Sequence, residues 1–221
     1  MPPSAQNGCT SNGCVSNGCE CNVCRMRTLF IIDHPYQGSF SRALLAAAMA
    51  GAEQAGHDVE LIDLAADAFN PAMSAQELNA WRSGRSLDPL VLDYQAKLGR
   101  ADHVAFVFPI WWMNMPARTK GFLDKVLLPG ISYDEPKPGG RLMGRYGSLT
   151  SVTLLTTSTT PTLWYQLLFG RPAVRALFTG TFGLIGVRRH RWLSHGNISR
   201  SDAGTRTAWL RRASRRFARL A

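Results

Sequence analysis

The sequence predicts an α/β fold: a five-stranded parallel sheet in the order 2-1-3-4-5, with helices on both faces. Short β-branched, apolar runs alternate along the chain with longer segments of helical periodicity. The strand-like runs are apolar almost throughout, which is typical of strands buried on both faces. A length of 221 residues suits one such domain with a sizeable core and is short for two.

The first half of the chain predicts three strands and four helices. Residues 28–33 form a continuous apolar run that ends in an acid, and residues 40–55 are rich in Ala and Leu and are followed by Gly56, a common helix stop. The other elements of this half are a strand at 59–64, helices at 75–81 and 91–99, a strand at 103–108, and a helix at 116–126 with proline in its first turn.

The second half begins with a loop at 129–147 that is rich in Pro and Gly. The remaining elements are a strand at 148–157, a helical segment at 164–180 interrupted at Gly170 and Pro172, a strand at 187–194, and a last helix. Ser199 and Asp202 have capping-box spacing before that helix.

The net charge of +10 is concentrated at the C-terminal end, where residues 188–221 hold ten arginines and one acid, Asp202. The rest of the chain is nearly neutral. The plain interpretation is a solvated helix face. The alternatives are attraction of anionic cofactors or a weak nucleic-acid or membrane contact. Because no aromatic-interleaved RNA motif accompanies the charge, we expect no nucleic-acid partner.

The first 25 residues differ from the rest and contain all five cysteines of the chain. They repeat Asn-Gly-Cys, have few apolar residues, and are expected to be a disordered tail or to lie upstream of the true start. Cys21 and Cys24 form a C-x2-C that leaves half of a zinc site as an alternative. The division is therefore a tail at 1–25 and a domain at 26–221, with no metal site expected in the domain.

The chain shows neither a membrane-spanning segment nor a signal peptide. No apolar run approaches the ~18 residues that a spanning helix needs. The N-terminus lacks a charged segment followed by an apolar one. We therefore expect a cytoplasmic location.

Three loops carry the functional argument, because ligands of such sheets bind beyond the carboxyl ends of the strands, where the strand order reverses. Loop one (33–41) opens a helix whose free N–H groups suit a phosphate, although an ordinary capped turn is the alternative. Loop two (108–116) holds two tryptophans and two methionines that suit a flat aromatic ring, with helix packing or a dimer contact as alternatives. Loop three (156–161) clusters hydroxyl groups, and its alternative is a solvated turn.

These loops resemble those of the flavodoxin-like NAD(P)H:quinone oxidoreductases, the DT-diaphorase family with its bacterial branch. The matching pieces are His34-Pro35 with Ser39-Phe40-Ser41, the run from Phe108 to Trp112 with the 116–126 helix, and Thr156-Thr157. The resemblance covers residues 26–194 and implies a dimeric flavoprotein that transfers hydride from NADH or NADPH to a quinone in a ping-pong sequence. FAD is the expected cofactor and FMN the alternative.

The resemblance also assigns roles to individual residues. The flavin-binding set comprises His34, Ser39, Phe40 and Ser41 at the phosphate and ribityl region, Pro109, Ile110, Trp111, Trp112 and Met113 at the ring, and Thr156, Thr157, Ser158 and Thr159 at its far edge. Tyr133 and Tyr165 are the catalytic candidates, expected to orient the acceptor or donate a proton. Ser158 and Thr159 stand where the family often has two glycines, so the backbone is expected to approach the ring less closely.

Some bacterial relatives are ancillary subunits of potassium-efflux channels. The alternative function is therefore a regulatory flavoprotein bound to such a membrane complex, with the basic C-terminal helix as its partner surface.

Overall fold

The structure is a computed structural model that describes residues 25–220, so the expected tail lies outside the described residues except for Arg25. The strands are β1 (Arg27–Ile32), β2 (Asp58–Asp63), β3 (His103–Pro109), β4 (Tyr133–Asp134), β5 (Met143–Gly144), β6 (Ser151–Thr157) and β7 (Arg189–His195). The α-helices are α1 (Phe40–Gln54), α2 (Ala75–Trp81), α3 (Pro89–Arg100), α4 (Ala117–Val126), α5 (Thr162–Leu167), α6 (Pro172–Leu177) and α7 (Ala203–Phe217).

The main sheet has five parallel strands in the order β2-β1-β3-β6-β7, so the predicted 2-1-3-4-5 order is confirmed. All seven residues of β3 are buried, and so are six of the seven in β6. Their apolar centres, residues 104–108 in β3 and Leu154 and Leu155 in β6, follow from this position, because a central parallel strand is covered on both faces.

Each face of the sheet has its own core. On one face, α3, α4 and α6 pack Tyr94, Phe122 and Leu177 against alternate strand residues. On the other face, α1 and α7 pack Leu44 and Phe217. The two helices of this second face approach closely at Gly51, where a Cβ atom would meet the backbone oxygen of Ser214 at 2.1 Å.

Three details differ from the sequence-based expectations. The predicted capping box before α7 is wrong: Asp202 is itself the N-cap, accepting the N–H of Thr205 at 2.6 Å, and Ser199 lies in a short 3-10 turn. The segment 164–180 is divided into α5, α6 and a π-helical turn, because Gly170 and Arg171 both have positive φ angles just before Pro172 begins α6. The 129–147 loop contains the small antiparallel pair β4–β5.

Within residues 25–220, no helix is both long and apolar enough to cross a membrane.

Candidate active site at the carboxyl edge of the sheet

The three loops meet at the carboxyl edge, where backbone bonds continue the sheet beyond its strands. The N–H of Asp33 donates to the carbonyl of Val107 at 3.0 Å, and the N–H of Ile110 donates to that of Thr157 at 2.8 Å. The buried hydroxyl groups of Ser41 and Thr157 are hydrogen-bonded at 3.1 Å. These bonds join loop one to β3 just before loop two, loop two to loop three, and loop three back to loop one.

Loop one is shaped by His34 and Ser39. The His34 Nδ1 accepts the N–H of Tyr36 at 3.1 Å. Partial burial lowers the pKa of His34, which favours the neutral ring that this bond requires. Ser39 is the N-cap of α1 and accepts the N–H of Arg42 at 3.2 Å. Phe40 and Ser41 open the helix, so their N–H groups precede its hydrogen-bond ladder.

Arg42 clamps loop one to the neighbouring strand. Its guanidinium donates to both carboxylate oxygens of Asp63 and, at 2.9 Å, to the carbonyl of His34. Burial by itself would raise the pKa of Asp63, but the bond from Arg42 and two backbone N–H donors outweigh it and lower the pKa. The ion pair therefore holds the backbone at the start of loop one.

Asp33 ties the end of β1 to the start of α4. Its carboxylate is 2 % exposed and accepts both the N–H and the hydroxyl of Thr119, at 2.8 and 2.9 Å. This buried carboxylate is therefore a structural element that supports the carboxyl edge.

Loop two is a tight turn with two non-glycine residues in the left-handed region. Trp112 and Met113 have φ angles of 49° and 62°, and Trp111 and Asn114 exchange two backbone hydrogen bonds of 3.0 and 2.9 Å. Positive φ at both central positions is the type I′ pattern, which normally takes Asn and Gly. A tryptophan and a methionine therefore hold strained conformations here, and such strain gathers at functional sites.

The same turn exposes aromatic surface. Trp112 is 99 % exposed and Trp111 is 47 % exposed, with the Trp111 ring centred 6.4 Å from that of His34. Pro109 is buried at the end of β3, and Ile110 is half-buried. Pro109 and Ile110 thus anchor the turn, and the indole rings of Trp111 and Trp112 project from it toward solvent.

Loop three has two buried threonines, followed by two residues that are at least partly exposed to solvent. Thr156 and Thr157 are buried, and the Thr156 hydroxyl accepts the indole N–H of Trp192 at 2.8 Å. The half-buried Ser158 donates its hydroxyl hydrogen to the carbonyl of Thr160 at 2.7 Å, and Thr159 is exposed. The part of the loop that a ligand can reach is therefore Ser158 and Thr159.

The two candidate catalytic tyrosines lie in different places. Tyr165 is 1 % exposed, and its hydroxyl donates to the Met113 carbonyl and accepts the Ala173 N–H, both at 3.1 Å. Tyr133 is half-buried in the β4–β5 hairpin and pairs with Gly144. Burial, and secondarily Glu135, raise the pKa of Tyr133. Tyr165 therefore contacts the backbone of loop two from the protein interior, whereas Tyr133 belongs to the separate β4–β5 hairpin.

A protein-family model described as the flavodoxin-like fold matches residues 26–217 of this chain. The chain belongs to this flavodoxin-like family. Its resemblance to NAD(P)H:quinone oxidoreductases, first seen in the loops, is confirmed by relatives and solved structures.

Similar curated proteins come from fungi, animals and bacteria. A ribosyldihydronicotinamide dehydrogenase-like protein of Penicillium crustosum is 35 % identical over 57 % of this chain and 53 % of its own length. The rat NAD(P)H dehydrogenase (quinone) 1 is 32 % identical over 48 % of this chain and 45 % of its own length. The chain thus spans about half the length of these two relatives. An uncharacterized NAD(P)H oxidoreductase of Haemophilus influenzae is 27 % identical over 86 % of this chain and 94 % of its own.

Solved structures of the flavodoxin-like family superpose over most of the domain. The NAD(P)H:quinone oxidoreductase of Methanothermobacter marburgensis has a TM-score of 0.78 and 27 % identity, covering 89 % of this chain and all of that one. An FMN-dependent NADH-azoreductase of Bacillus anthracis, solved with FMN, has a TM-score of 0.71 at 17 % identity, covering 89 % and 99 % of the two chains, and shares the fold.

Sequence reasoning missed several residues that support this flavodoxin-like edge. Arg42 and Asp63 pair across adjacent elements, and Asp33 holds Thr119. His195, at the end of β7, is 2 % exposed with its Nδ1 3.1 Å from the Thr156 carbonyl. Their positions along the chain were the available signal: Asp63 and His195 end strands of the parallel sheet and Asp33 directly follows one, and the carboxyl ends of such strands share one edge.

Proposed function

We propose that this chain is an NAD(P)H-dependent flavin oxidoreductase that reduces quinones or similar acceptors by two electrons. The observation that carries the proposal is the convergence of three hydrogen-bonded loops, with exposed indoles and free amides, at the edge where such sheets bind ligands. The proteins named above are oxidoreductases, which favours an enzyme over the alternative of a channel subunit.

The loops offer both the hydrogen-bond donors and the apolar surface that a flavin requires. Within residues 25–220, the N–H groups of Trp112, Met113, Thr159 and Thr160 form no hydrogen bond. A flavin presents carbonyl oxygens and nitrogens along its ring edges, an apolar ring face, and a phosphate-bearing tail. Backbone donors, indole rings and a helix start are the groups that recognise these three features.

The loop residues take distinct parts in this proposed site. The phosphate and ribityl region would be held by His34, Ser39, Phe40 and Ser41. The ring would contact Pro109, Ile110, Trp111, Trp112 and Met113, and its far edge would contact Thr156, Thr157, Ser158 and Thr159. The Thr156 and Thr157 hydroxyl groups are already engaged with Trp192 and Ser41, so these two threonines would act by positioning the loop.

FAD is the proposed cofactor, with FMN as the alternative, and NADPH or NADH is the proposed donor. When bound, the flavin would supply hydride exchange between the nicotinamide and the acceptor. The amides of loops two and three would stabilise negative charge at the ring edge. Tyr133 stays a candidate for orienting the acceptor, whereas the engaged hydroxyl of Tyr165 favours a positioning role.

A homodimer is part of the proposal and is supported by exposed apolar surface on and just after α5. The exposed fractions there are 60 % for Leu163, 61 % for Trp164, 77 % for Leu167, 73 % for Leu168 and 43 % for Phe169. Contiguous apolar surface rimmed by polar residues marks protein interfaces. Because Tyr165 of the same helix contacts loop two, the interface would adjoin the active site.

Absorption spectroscopy of the purified full chain tests the proposal. We expect flavin bands that bleach when NADPH or NADH is added without oxygen and return when a quinone is added. Chromatography of the released cofactor distinguishes FAD from FMN. A colourless protein that takes up neither added flavin would refute the flavoenzyme.

A further inference from the structure

A basic cleft lies at the amino edge of the sheet, opposite the three loops. It has a volume of about 200 Å³ and is bounded by the first residues of β3, β6 and β7 and by the end of α7. The residues that line it are His103, Ser151, Val152, Thr153, Arg189, His190, Arg191, Arg216, Arg219 and Leu220. None belongs to the loops of the proposed flavin site.

The strand register explains why polar groups gather there. On the face covered by α7, His103 lies beside Ser151 and Ser151 beside Arg189, and in the next row Thr153 lies beside Arg191. The second row also includes the apolar Ala105, and the third row, Val107, Leu155 and Leu193, is apolar throughout. A parallel sheet under a helix is normally apolar throughout this face, so these two rows depart from what the fold requires.

Several polar atoms of the cleft are buried and unpaired. Thr153 is fully buried and His103 is 1 % exposed, and within residues 25–220 the Thr153 hydroxyl, the His103 Nε2 and the Arg216 Nε have no hydrogen-bond partner. The other ring nitrogen of His103 is 2.7 Å from the Ser151 hydroxyl, and its ring contacts Phe217 of α7. Most buried polar atoms in proteins have a hydrogen-bond partner, so a ligand that bonded these three groups would be stabilised by them.

The charge of the cleft is uncompensated. Among residues 25–220, no carboxylate lies within 4 Å of the side-chain nitrogens of Arg189, Arg191, Arg216 or Arg219. Burial, followed by the charges of Arg191 and Arg189, lowers the pKa of Arg216. An anion in the cleft would relieve this repulsion and supply an acceptor for the unpaired donors.

A larger groove of about 490 Å³ adjoins the cleft along α7. The groove shares Arg191, Arg216 and Arg219 with the cleft and adds Arg211, Arg212 and Arg215. Its size and number of cations suit an anion with several charged groups rather than a single small ion. A membrane surface or a nucleic-acid backbone could meet the outer arginines, but neither reaches the buried Thr153.

We propose that this cleft and groove form a binding site for a small polyphosphorylated molecule. One phosphate occupies the cleft against Thr153, His103 and Arg216, and the remaining charge lies along the arginines of α7. Arginine suits this role because its planar fork donates to two phosphate oxygens at once. The site is independent of the proposed flavin chemistry, which belongs to the opposite edge.

Isothermal titration calorimetry of the full chain, saturated beforehand with flavin, tests the site with phosphate, pyrophosphate and tripolyphosphate. Prior saturation excludes binding at the flavin edge, and the flavin content of each sample tests the proposed function separately. We expect affinity to rise with phosphate number. Arg216→Gln should weaken pyrophosphate binding about tenfold to a hundredfold, and Thr153→Val roughly twofold to tenfold.

Arg175→Gln is the matched control, because it removes the same charge from α6, outside the cleft and the groove. It should leave pyrophosphate binding unchanged. Equal weakening by Arg216→Gln and Arg175→Gln, with no effect of Thr153→Val, would show general charge attraction and overturn the site. Absence of binding would also overturn it, as would binding of only anionic vesicles or nucleic acid with no effect of Thr153→Val.

Discussion

The hydroxyl group of Tyr165 shows how one buried side chain links two parts of the candidate active site. It bridges the carbonyl of Met113 in the strained turn and the N–H of Ala173 in α6. With both its donor and acceptor functions engaged and 1 % of its surface exposed, it is placed to fix loop two. The catalytic part first expected of Tyr165 therefore becomes a positioning part in our proposal.

Removing that hydroxyl gives a test of the positioning role. Tyr165→Phe leaves the buried N–H of Ala173 without its partner, so we expect a loss of about 1–3 kcal/mol in the free energy of unfolding of the flavin-free protein. Flavin affinity should fall as well, because loop two loses a support. Denaturant unfolding and flavin titration measure the two effects. Tyr133→Phe is the comparison, and unchanged stability and affinity in Tyr165→Phe would contradict the role.

Two of the three buried histidines have pKa values far enough below normal to make stability depend strongly on pH. Burial lowers the pKa of His195 to about 4 and that of His103 to about 3, from a usual value of 6.5. Between these values and 6.5 the unfolded chain binds more protons, so stability is full above pH 6.5 and is lost on acidification. Each histidine contributes a slope of up to about 1.4 kcal/mol per pH unit.

Denaturant unfolding from pH 7 to pH 4 measures this dependence. His195→Gln should have a shallower decline than the unsubstituted protein, because one of the two most strongly shifted histidines is gone. His34→Gln removes a more exposed histidine and should keep most of the slope. Parallel curves for His195→Gln and the unsubstituted protein would rule out His195 as a source.

At the scale of an element, the turn of loop two combines backbone strain with exposed apolar surface. A β-branched or aromatic residue at positive φ is unusual, and the left-handed region costs an L-residue roughly 1–2 kcal/mol. Trp112 holds it at φ 49° while exposing 99 % of its surface. Within residues 25–220 this side chain buries almost no surface, so we propose that it contacts what binds the turn.

Trp112→Asn separates stability from function. Asparagine tolerates the left-handed region and is a preferred first residue of a type I′ turn. We expect the free energy of unfolding to rise by about 0.5–1 kcal/mol as strain is relieved, while flavin affinity or dimer stability falls. Thermal unfolding, flavin titration and sedimentation measure these quantities. Trp111→Asn, outside the left-handed region, should bring no gain; a Trp112→Asn protein that loses stability would contradict the strain.

On the scale of the whole molecule, the two edges of the sheet differ in character. The carboxyl edge carries indoles, hydroxyls and free amides, whereas the cleft at the amino edge is lined by Arg189, Arg191, Arg216 and Arg219, which have no carboxylate partner among residues 25–220. Seven of the ten arginines that the sequence places at its C-terminal end line this cleft or the adjoining groove, whereas Arg206 lies near loop three, bonded to Ile198. The exposed apolar face of α5 lies beside loop two and provides the surface for the proposed homodimer.

Charge placed on that face tests the dimer. Leu167, which is 77 % exposed, contributes nothing to the folded core, so Leu167→Asp should leave the free energy of unfolding of the monomer nearly unchanged. It should shift the protein to monomers, because an aspartate buried in an interface has no partner. Light scattering after size exclusion measures the mass. Leu92→Asp on α3, at 51 % exposure, should remain dimeric. Dimers in Leu167→Asp would exclude this interface.

The sequence by itself determined the sheet, its order and the edge that carries the three loops. Strand and helix periodicities are local, and the connection rules of parallel sheets convert them into a topology. Tertiary structure alone decided the rest. Tyr165 supports Met113, and Arg216 lines the same cleft as Thr153 and His103, although these residues are far apart in the chain. Periodicity in the sequence predicts which face of a strand or helix a side chain lies on. The strand register and the packing of helices on the sheet determine which other side chain it contacts.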